Sequence, residues 1–204
     1  FLDDPGIKTL SFLSTDLPDN RVLFGCLQSL FKYLPQYDFL FPSIARLVPN
    51  ALFVFLEGRP FYGTKILQNR LDKVFSKFGL DVKKHVVFLP RRNSLEFDHL
   101  LSQMDICIDS VGWTGGNTSL KAIEFGIPMV TLMGEFMRGR HTSGFFKMIG
   151  CDELICSSFD EYISKNHNDN VAGRTQYIVS PINNEQTINF REKIGFISSS
   201  KNED

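Results

Sequence analysis

The run Asp109-Ser110-Val111-Gly112-Trp113-Thr114-Gly115-Gly116-Asn117-Thr118-Ser119 concentrates residue types that hold anions. It leaves an apolar segment and opens an amphipathic one, so its glycines fall where a strand turns into a helix. Glycine lets backbone approach a ligand closely. The first amides of the helix, with the hydroxyls of Thr118 and Ser119, can then receive phosphate oxygens. The run is neither GxGxxG nor a Walker A loop, which removes support from ordinary dinucleotide and NTPase readings. The plainer reading is a turn made by Gly115 and Gly116, with Asn117 or Thr118 capping the helix. Spacing alone leaves both readings open.

Three further segments carry chemistry after apolar runs. QSLFKYLP at 28–35 offers Lys32, a point charge suited to a diphosphate, although a solvated surface lysine is the bland alternative. Pro90-Arg91-Arg92-Asn93 could hold a nucleobase or ribose. The segment 134–142 gathers Arg138, Arg140 and His141, where charge is costly unless solvated or engaged. His141 is a candidate catalytic group, but a lone histidine near a helix start is more often structural, and His85, His99 and His167 have no motif around them. Cys26, Cys107, Cys151 and Cys156 show no CxxC spacing and no pairing with histidine, and no Ser/His/Asp order stands out. Metalloenzyme and hydrolase readings therefore have nothing to rest on.

The elements that must position these loops alternate along the chain. Short apolar runs at 22–27, 52–57, 85–89, 104–109 and 129–133 predict strands buried on both faces. Helical period at 38–47, 64–78, 94–103 and 118–125 predicts the crossovers, with Leu67, Leu71, Val74, Phe75 and Phe78 as one core-facing stripe. Asn93-x-x-Glu96 and Ser158-x-x-Glu161 read as capping boxes, and Gly79 and Gly126 as helix ends. Repeated βα units predict an α/β fold with a doubly wound, mostly parallel, Rossmann-like sheet. Loops at the carboxyl ends of its strands are then the place for a ligand.

Composition bounds the rest. The chain has 204 residues, 43% hydrophobic and 22% charged, with a net charge of −1. That length buries roughly 70% of the unfolded surface, so packing alone can hold the fold. A balanced charge makes nucleic acid a poor partner. No apolar stretch approaches the ~18 residues of a membrane span. The cysteine usage suits a reduced, cytoplasmic compartment. We expect a domain over 1–165 and an irregular or disordered tail over 166–204, rich in Asn, Ser and charge. The first residue is Phe1, which suggests part of a longer polypeptide.

The run GGNTSLKAIEFGIPMVTLMGEFMRGRHTSGFFKMIGCDELI at 115–155, with QSLFKYLP at 28–35 and VVFLPRRN at 86–93, resembles the C-terminal catalytic half of the O-linked N-acetylglucosamine transferase family, in its SPINDLY-like bacterial branch, glycosyltransferase family 41. The resemblance covers about 21 to 165 in order. It implies one half of a GT-B fold, UDP-N-acetylglucosamine or another UDP-sugar as donor, a protein acceptor, and no metal. It implies that Lys32 contacts the diphosphate, that Ser29 is a nearby polar nucleotide contact, and that Asn117 and Thr118 hold the phosphates beside Gly116 and Ser119. It places Arg91 and Arg92 in the loop that receives uracil. An acidic residue that takes the ribose hydroxyls in the family is Lys121 here, and Glu124 one turn on is a possible substitute. The catalytic base, the acceptor site and helical TPR repeats belong to upstream parts of such enzymes. The sequence thus predicts the donor-binding domain of an inverting glycosyltransferase, inactive as this fragment alone. Alternatives are a catalytically incomplete nucleotide-sugar-binding module and a sugar-nucleotide epimerase-like GT-B protein.

Overall fold

The computed structural model describes residues 20–166. Six strands, β1 (Val22–Cys26), β2 (Ala51–Leu56), β3 (Val86–Leu89), β4 (Ile106–Ile108), β5 (Met129–Leu132) and β6 (Ile155–Cys156), form one sheet. Their order is β3-β2-β1-β4-β5-β6 and every pairing is parallel. Six α-helices link or follow them: α1 (Leu40–Leu47), α2 (Tyr62–Lys77), α3 (Ser94–Ser102), α4 (Asn117–Glu124), α5 (His141–Ile149) and α6 (Phe159–Lys165). The expected doubly wound α/β architecture is the one observed, with strand and helix ends within two residues of the expected ones.

Continuous apolarity along the strands arises because both faces of the sheet are covered. Alternate residues point to opposite faces, so along β2 Phe53 and Phe55 enter one core while Leu52 and Val54 enter the other. The first core packs Phe24, Phe53 and Phe55 against Ile44 of α1, Leu67, Leu71 and Phe75 of α2, and Tyr162 of α6. Phenylalanine rings interlock there, with Phe24 and Phe53 centroids 5.1 Å apart and Phe41 edge-on to Phe53 at 5.3 Å. The second core packs Val54, Cys107 and Met129 against Leu100 and Leu101 of α3, Ala122 and Ile123 of α4, and Phe146 of α5. Each fully buried side chain of this size contributes about 1.5–3 kcal/mol of transfer free energy, so the sheet is held rigidly from both sides.

Local signals set the element ends. Asn93 Oδ1 accepts from the Glu96 N–H at 3.0 Å while the Glu96 carboxylate accepts from the Asn93 N–H at 3.1 Å, the reciprocal box expected at the start of α3. At α6 the second box is only half formed. Ser158 Oγ accepts from the Glu161 N–H, but the Glu161 carboxylate takes the N–H and hydroxyl of Ser157 instead of the Ser158 N–H. Gly79 and Gly126 adopt φ of +71° and +66° just past α2 and α4, where the chain reverses with little steric cost only at glycine. Two features lay outside the sequence reading: the two-residue strand β6, too short for a periodic signal, and the pairing that brings it beside β5. His167 and the tail expected over 166–204, apart from Asn166, lie outside the described residues.

The sheet order has one functional consequence. β1 and β4 are neighbours, yet the chain leaves β1 toward β2 and leaves β4 toward β5. The loops after β1 and β4 therefore diverge and open a crevice at the carboxyl edge of the sheet.

Candidate functional site

That crevice brings together segments more than 80 residues apart in sequence. β1 is followed by a 3-10 turn, Leu30–Lys32, which aims Lys32 across the switch point. Lys32 Nζ donates to the Thr114 carbonyl at 3.0 Å and to Gln28 Oε1 at 3.3 Å. Partial burial lowers the Lys32 pKa, and the negative charge of Asp109 opposes that shift. The ammonium thus sits two residues before Gly116, held by neutral oxygens that an anion can displace.

Thr114 joins three loops. Its N–H donates to the Arg138 carbonyl at 2.8 Å, its hydroxyl accepts from the His141 N–H at 3.1 Å, and its own carbonyl holds Lys32. Gly115 follows under severe crowding: a Cβ there would stand 2.0 Å from Ser119 Oγ and 2.3 Å from Gln28 Nε2. Gly116 is the opposite case, with nothing within 4 Å of the position its Cβ would take. Its peptide faces an open shelf. α4 starts immediately afterward at Asn117, and no side chain caps it. Its first amides carry the positive end of the helix dipole toward that shelf.

Asp109, buried to 2% exposure, anchors this turn from beneath. Its Oδ1 accepts from the Gly115 N–H at 2.9 Å and its Oδ2 from Thr131 Oγ1 at 2.6 Å, while the Thr142 hydroxyl also donates to it. Burial raises the Asp109 pKa, and these donors together with Lys32 pull it back toward the ionised form. The Asp109 carbonyl accepts from Tyr162 Oη at 2.6 Å, which ties α6 to the same corner. A small hollow lined by Tyr33, Tyr37, Ile108, Val111 and Tyr162, with Asp109 itself in its wall, lies at that corner, and neither Lys32 nor Gly116 lines it.

The other expected residues are distributed as follows. Ser29 is exposed beside Lys32, and its hydroxyl caps nothing. Asn117 is exposed and Thr118 half-buried at the rim. Ser119 is fully buried, and its hydroxyl is hydrogen-bonded to Thr142 Oγ1 at 2.9 Å. The expectation that this hydroxyl receives phosphate oxygens is therefore corrected: one helical position past Thr118, the side chain turns into the protein. Arg91 is exposed in the loop after β3; Arg92 is half-buried with its Nε unpaired. Lys121 forms an ion pair with Asp98 of α3, and Glu124 is exposed farther along α4. His141 opens α5, and its backbone N–H donates to the Thr114 hydroxyl. The roles of Gln28, Asp109 and Asp98 were missed because Thr131, Lys121 and the turn at Gly115 meet them only through the fold.

Around the shelf the rim is aromatic. Phe31 stands edge-on to Trp113 at 5.2 Å, and the Arg138 guanidinium lies over both Trp113 and Phe136. An uncapped helix start, a buried carboxylate that fixes the turn before it and one lysine beside them make an arrangement that can receive an anion.

The family model of glycosyl transferase family 41 matches residues 8–199. The chain belongs to that family. The match continues beyond Lys165, where the sequence reading had found no clear likeness. A UDP-N-acetylglucosamine–peptide N-acetylglucosaminyltransferase of Giardia intestinalis is 26% identical over 149 residues, 72% of this chain and 10% of that protein. A probable SPINDLY enzyme of the same name from Arabidopsis thaliana is 28% identical over 149 residues, again 72% of this chain and 16% of that protein. The family 41 chain thus spans about a tenth to a sixth of these relatives. Among solved structures, a Thermobaculum terrenum O-GlcNAc transferase superposes with a TM-score of 0.69 at 24% identity, covering 91% of this chain and 35% of that one. A UDP-GlcNAc 2-epimerase from Neisseria meningitidis superposes at 0.54 with 13% identity, a likeness of fold alone.

Proposed function

We propose that this chain is the donor-binding part of an inverting glycosyltransferase that carries N-acetylglucosamine from UDP to serine or threonine hydroxyls of proteins. The observation that carries this reading is the convergence of Lys32 on the uncapped N-terminus of α4 across the β1–β4 switch point. The printed activities of the relatives supply the sugar and the acceptor class.

In this reading the diphosphate lies on the shelf at Gly116, with its oxygens on the amides of Asn117 and Thr118. Lys32 leaves the Thr114 carbonyl for a phosphate oxygen. The acceptor hydroxyl attacks the anomeric carbon from the face opposite UDP, the bond from that carbon to the diphosphate oxygen breaks, and its electron pair leaves with UDP. The hydroxyl proton goes to a base from outside these residues. Charge accumulates on the departing diphosphate, where fixed amides and an ammonium are worth most, and the step needs no divalent ion. Ser29 lies at the diphosphate end, and Arg91 and Arg92 at the nucleobase end. Action on cytoplasmic proteins belongs to the same proposal.

A second reading, a module that binds the nucleotide without transferring the sugar, is favoured by one observation: Lys121 stands on α4 where an acceptor for ribose hydroxyls is expected. Isothermal titration of UDP into the 204-residue chain and its Lys32→Met variant tests the shared core of both. Wild type binds and the variant binds at least about tenfold more weakly, the loss of one charge-assisted contact. Equal affinities, or no binding to wild type, refute the site. Release of UDP from UDP-N-acetylglucosamine by the full-length protein with acceptor peptides then separates transfer from binding.

A further inference from the structure

The ion pair between α3 and α4 has a position that structural support alone does not require. Asp98 is the fifth residue of α3 and Lys121 the fifth of α4. At 1.5 Å per residue each lies about 6 Å below its helix start. The two helices begin at the same carboxyl edge of the sheet, one after the Arg91-Arg92 loop and the other at the Gly116 shelf. Their side chains keep 26% and 34% exposure, so the pair lines the surface between those two loops. Lys121 Nζ engages Asp98 Oδ1, which leaves Oδ2 as an acceptor on a carboxylate of fixed orientation.

We infer that Asp98, oriented by Lys121, is the carboxylate that accepts the ribose hydroxyls of the nucleotide, a specificity-determining residue supplied by α3. The inference rests on the donor-site reading above, since a nucleoside diphosphate with its phosphates on α4 and its base at 90–93 passes its ribose over this pair. A carboxylate oxygen accepts from a hydroxyl, which an ammonium cannot do. Lys121 neutralises the charge that Asp98 would otherwise bring toward the diphosphate. The apparent charge reversal at Lys121 is then an exchange of positions: the acid stands on the neighbouring helix and the cation on α4.

The test compares UDP with 2′,3′-dideoxy-UDP by isothermal titration into the 204-residue chain, with thermal melts run beside each variant. Wild type is expected to bind UDP about ten- to a hundredfold more tightly than the dideoxy compound. In Asp98→Asn that ratio falls to about threefold or less, while the dideoxy compound binds at least as tightly as it does to wild type, because Lys121 is then no longer neutralised. The exchanged double variant, Asp98→Lys with Lys121→Asp, keeps a carboxylate in the pair and retains a ratio of about tenfold. An Asp98→Asn variant that keeps the wild-type ratio, or a wild type that binds both compounds equally, overturns the inference and leaves the donor site standing. A wild type that binds neither overturns the donor-site reading, and this inference falls with it. If Asp98→Asn melts well below wild type, the exchanged variant decides: loss of its ratio overturns the inference.

Discussion

Gly115 and Gly116 are adjacent, yet alanine at each position breaks a different property. At Gly115 the new methyl would stand 2.0 Å from Ser119 Oγ and 2.3 Å from Gln28 Nε2, far inside van der Waals contact. Relief requires Ser119 to abandon Thr142 Oγ1 and Gln28 to abandon Lys32. Overpacking costs about 1–3 kcal/mol, and the lost Ser119–Thr142 bond adds about 1 kcal/mol. At about 2–4 °C of melting temperature per kcal/mol for a chain of this size, Gly115→Ala should melt roughly 4–16 °C below wild type. At Gly116 a methyl meets nothing within 4 Å, so stability stays within about 1 kcal/mol. It does occupy the shelf, and UDP affinity should fall at least about tenfold, a loss of about 1.4 kcal/mol. Thermal melts followed by circular dichroism, paired with isothermal titration of UDP, separate the two effects. A Gly115→Ala protein that melts with wild type, or a Gly116→Ala protein that loses stability but keeps UDP affinity, would refute the reasoning.

Three other outcomes follow from the same structure. Arg70 makes a two-pronged pair with the largely buried Asp38 and also donates to the Tyr33 carbonyl; Arg70→Met should lower stability by about 2 kcal/mol in urea melts, because Asp38 is left without its partner. Lys165 and Ser157 hold the Glu161 pKa down to about 2 from 4.5. Since the folded value lies below the unfolded one, Glu161 stabilises the fold above the ordinary glutamate range and loses that contribution as pH falls toward about 2. Urea melts of Glu161→Gln across that interval should therefore show a shallower acid dependence than wild type. Burial pushes the Cys107 thiol up to about 12 and those of Cys151 and Cys156 up to about 11, and it raises Cys26 as well. All four are free and buried, so iodoacetamide at neutral pH should label them only after denaturation, which intact-mass measurement reads directly.

Legibility in the sequence followed the range of the interactions. Strands such as β2 were readable because burial on both faces leaves every residue apolar, and α3 because Asn93 and Glu96 satisfy each other three residues apart. The turn at 115–118 was readable as a strand-to-helix turn for the same reason: glycines and the helix start are neighbours in the chain. Lys32 was readable only as a candidate charge with a solvated surface lysine as the alternative, since its contact with Thr114 depends on β1 lying beside β4. Asp109 is one acid in an apolar segment until β5 and α5 bring Thr131 and Thr142 onto it. Ser119 shows the converse failure, for composition counts its hydroxyl while helix geometry turns it inward to Thr142. Lys121 was read alone as a departure from the family, and only the packing of α3 on α4 supplies Asp98.

The central claim is that one phosphorylated nucleotide bridges the β1 loop and the start of α4, and a crystal structure of the chain with UDP tests it directly. The account predicts Lys32 Nζ within hydrogen-bond distance of a phosphate oxygen, released from the Thr114 carbonyl, with the Asn117 and Thr118 amides on the same diphosphate. UDP bound elsewhere on the molecule, or at this edge with Lys32 still on Thr114, would contradict it.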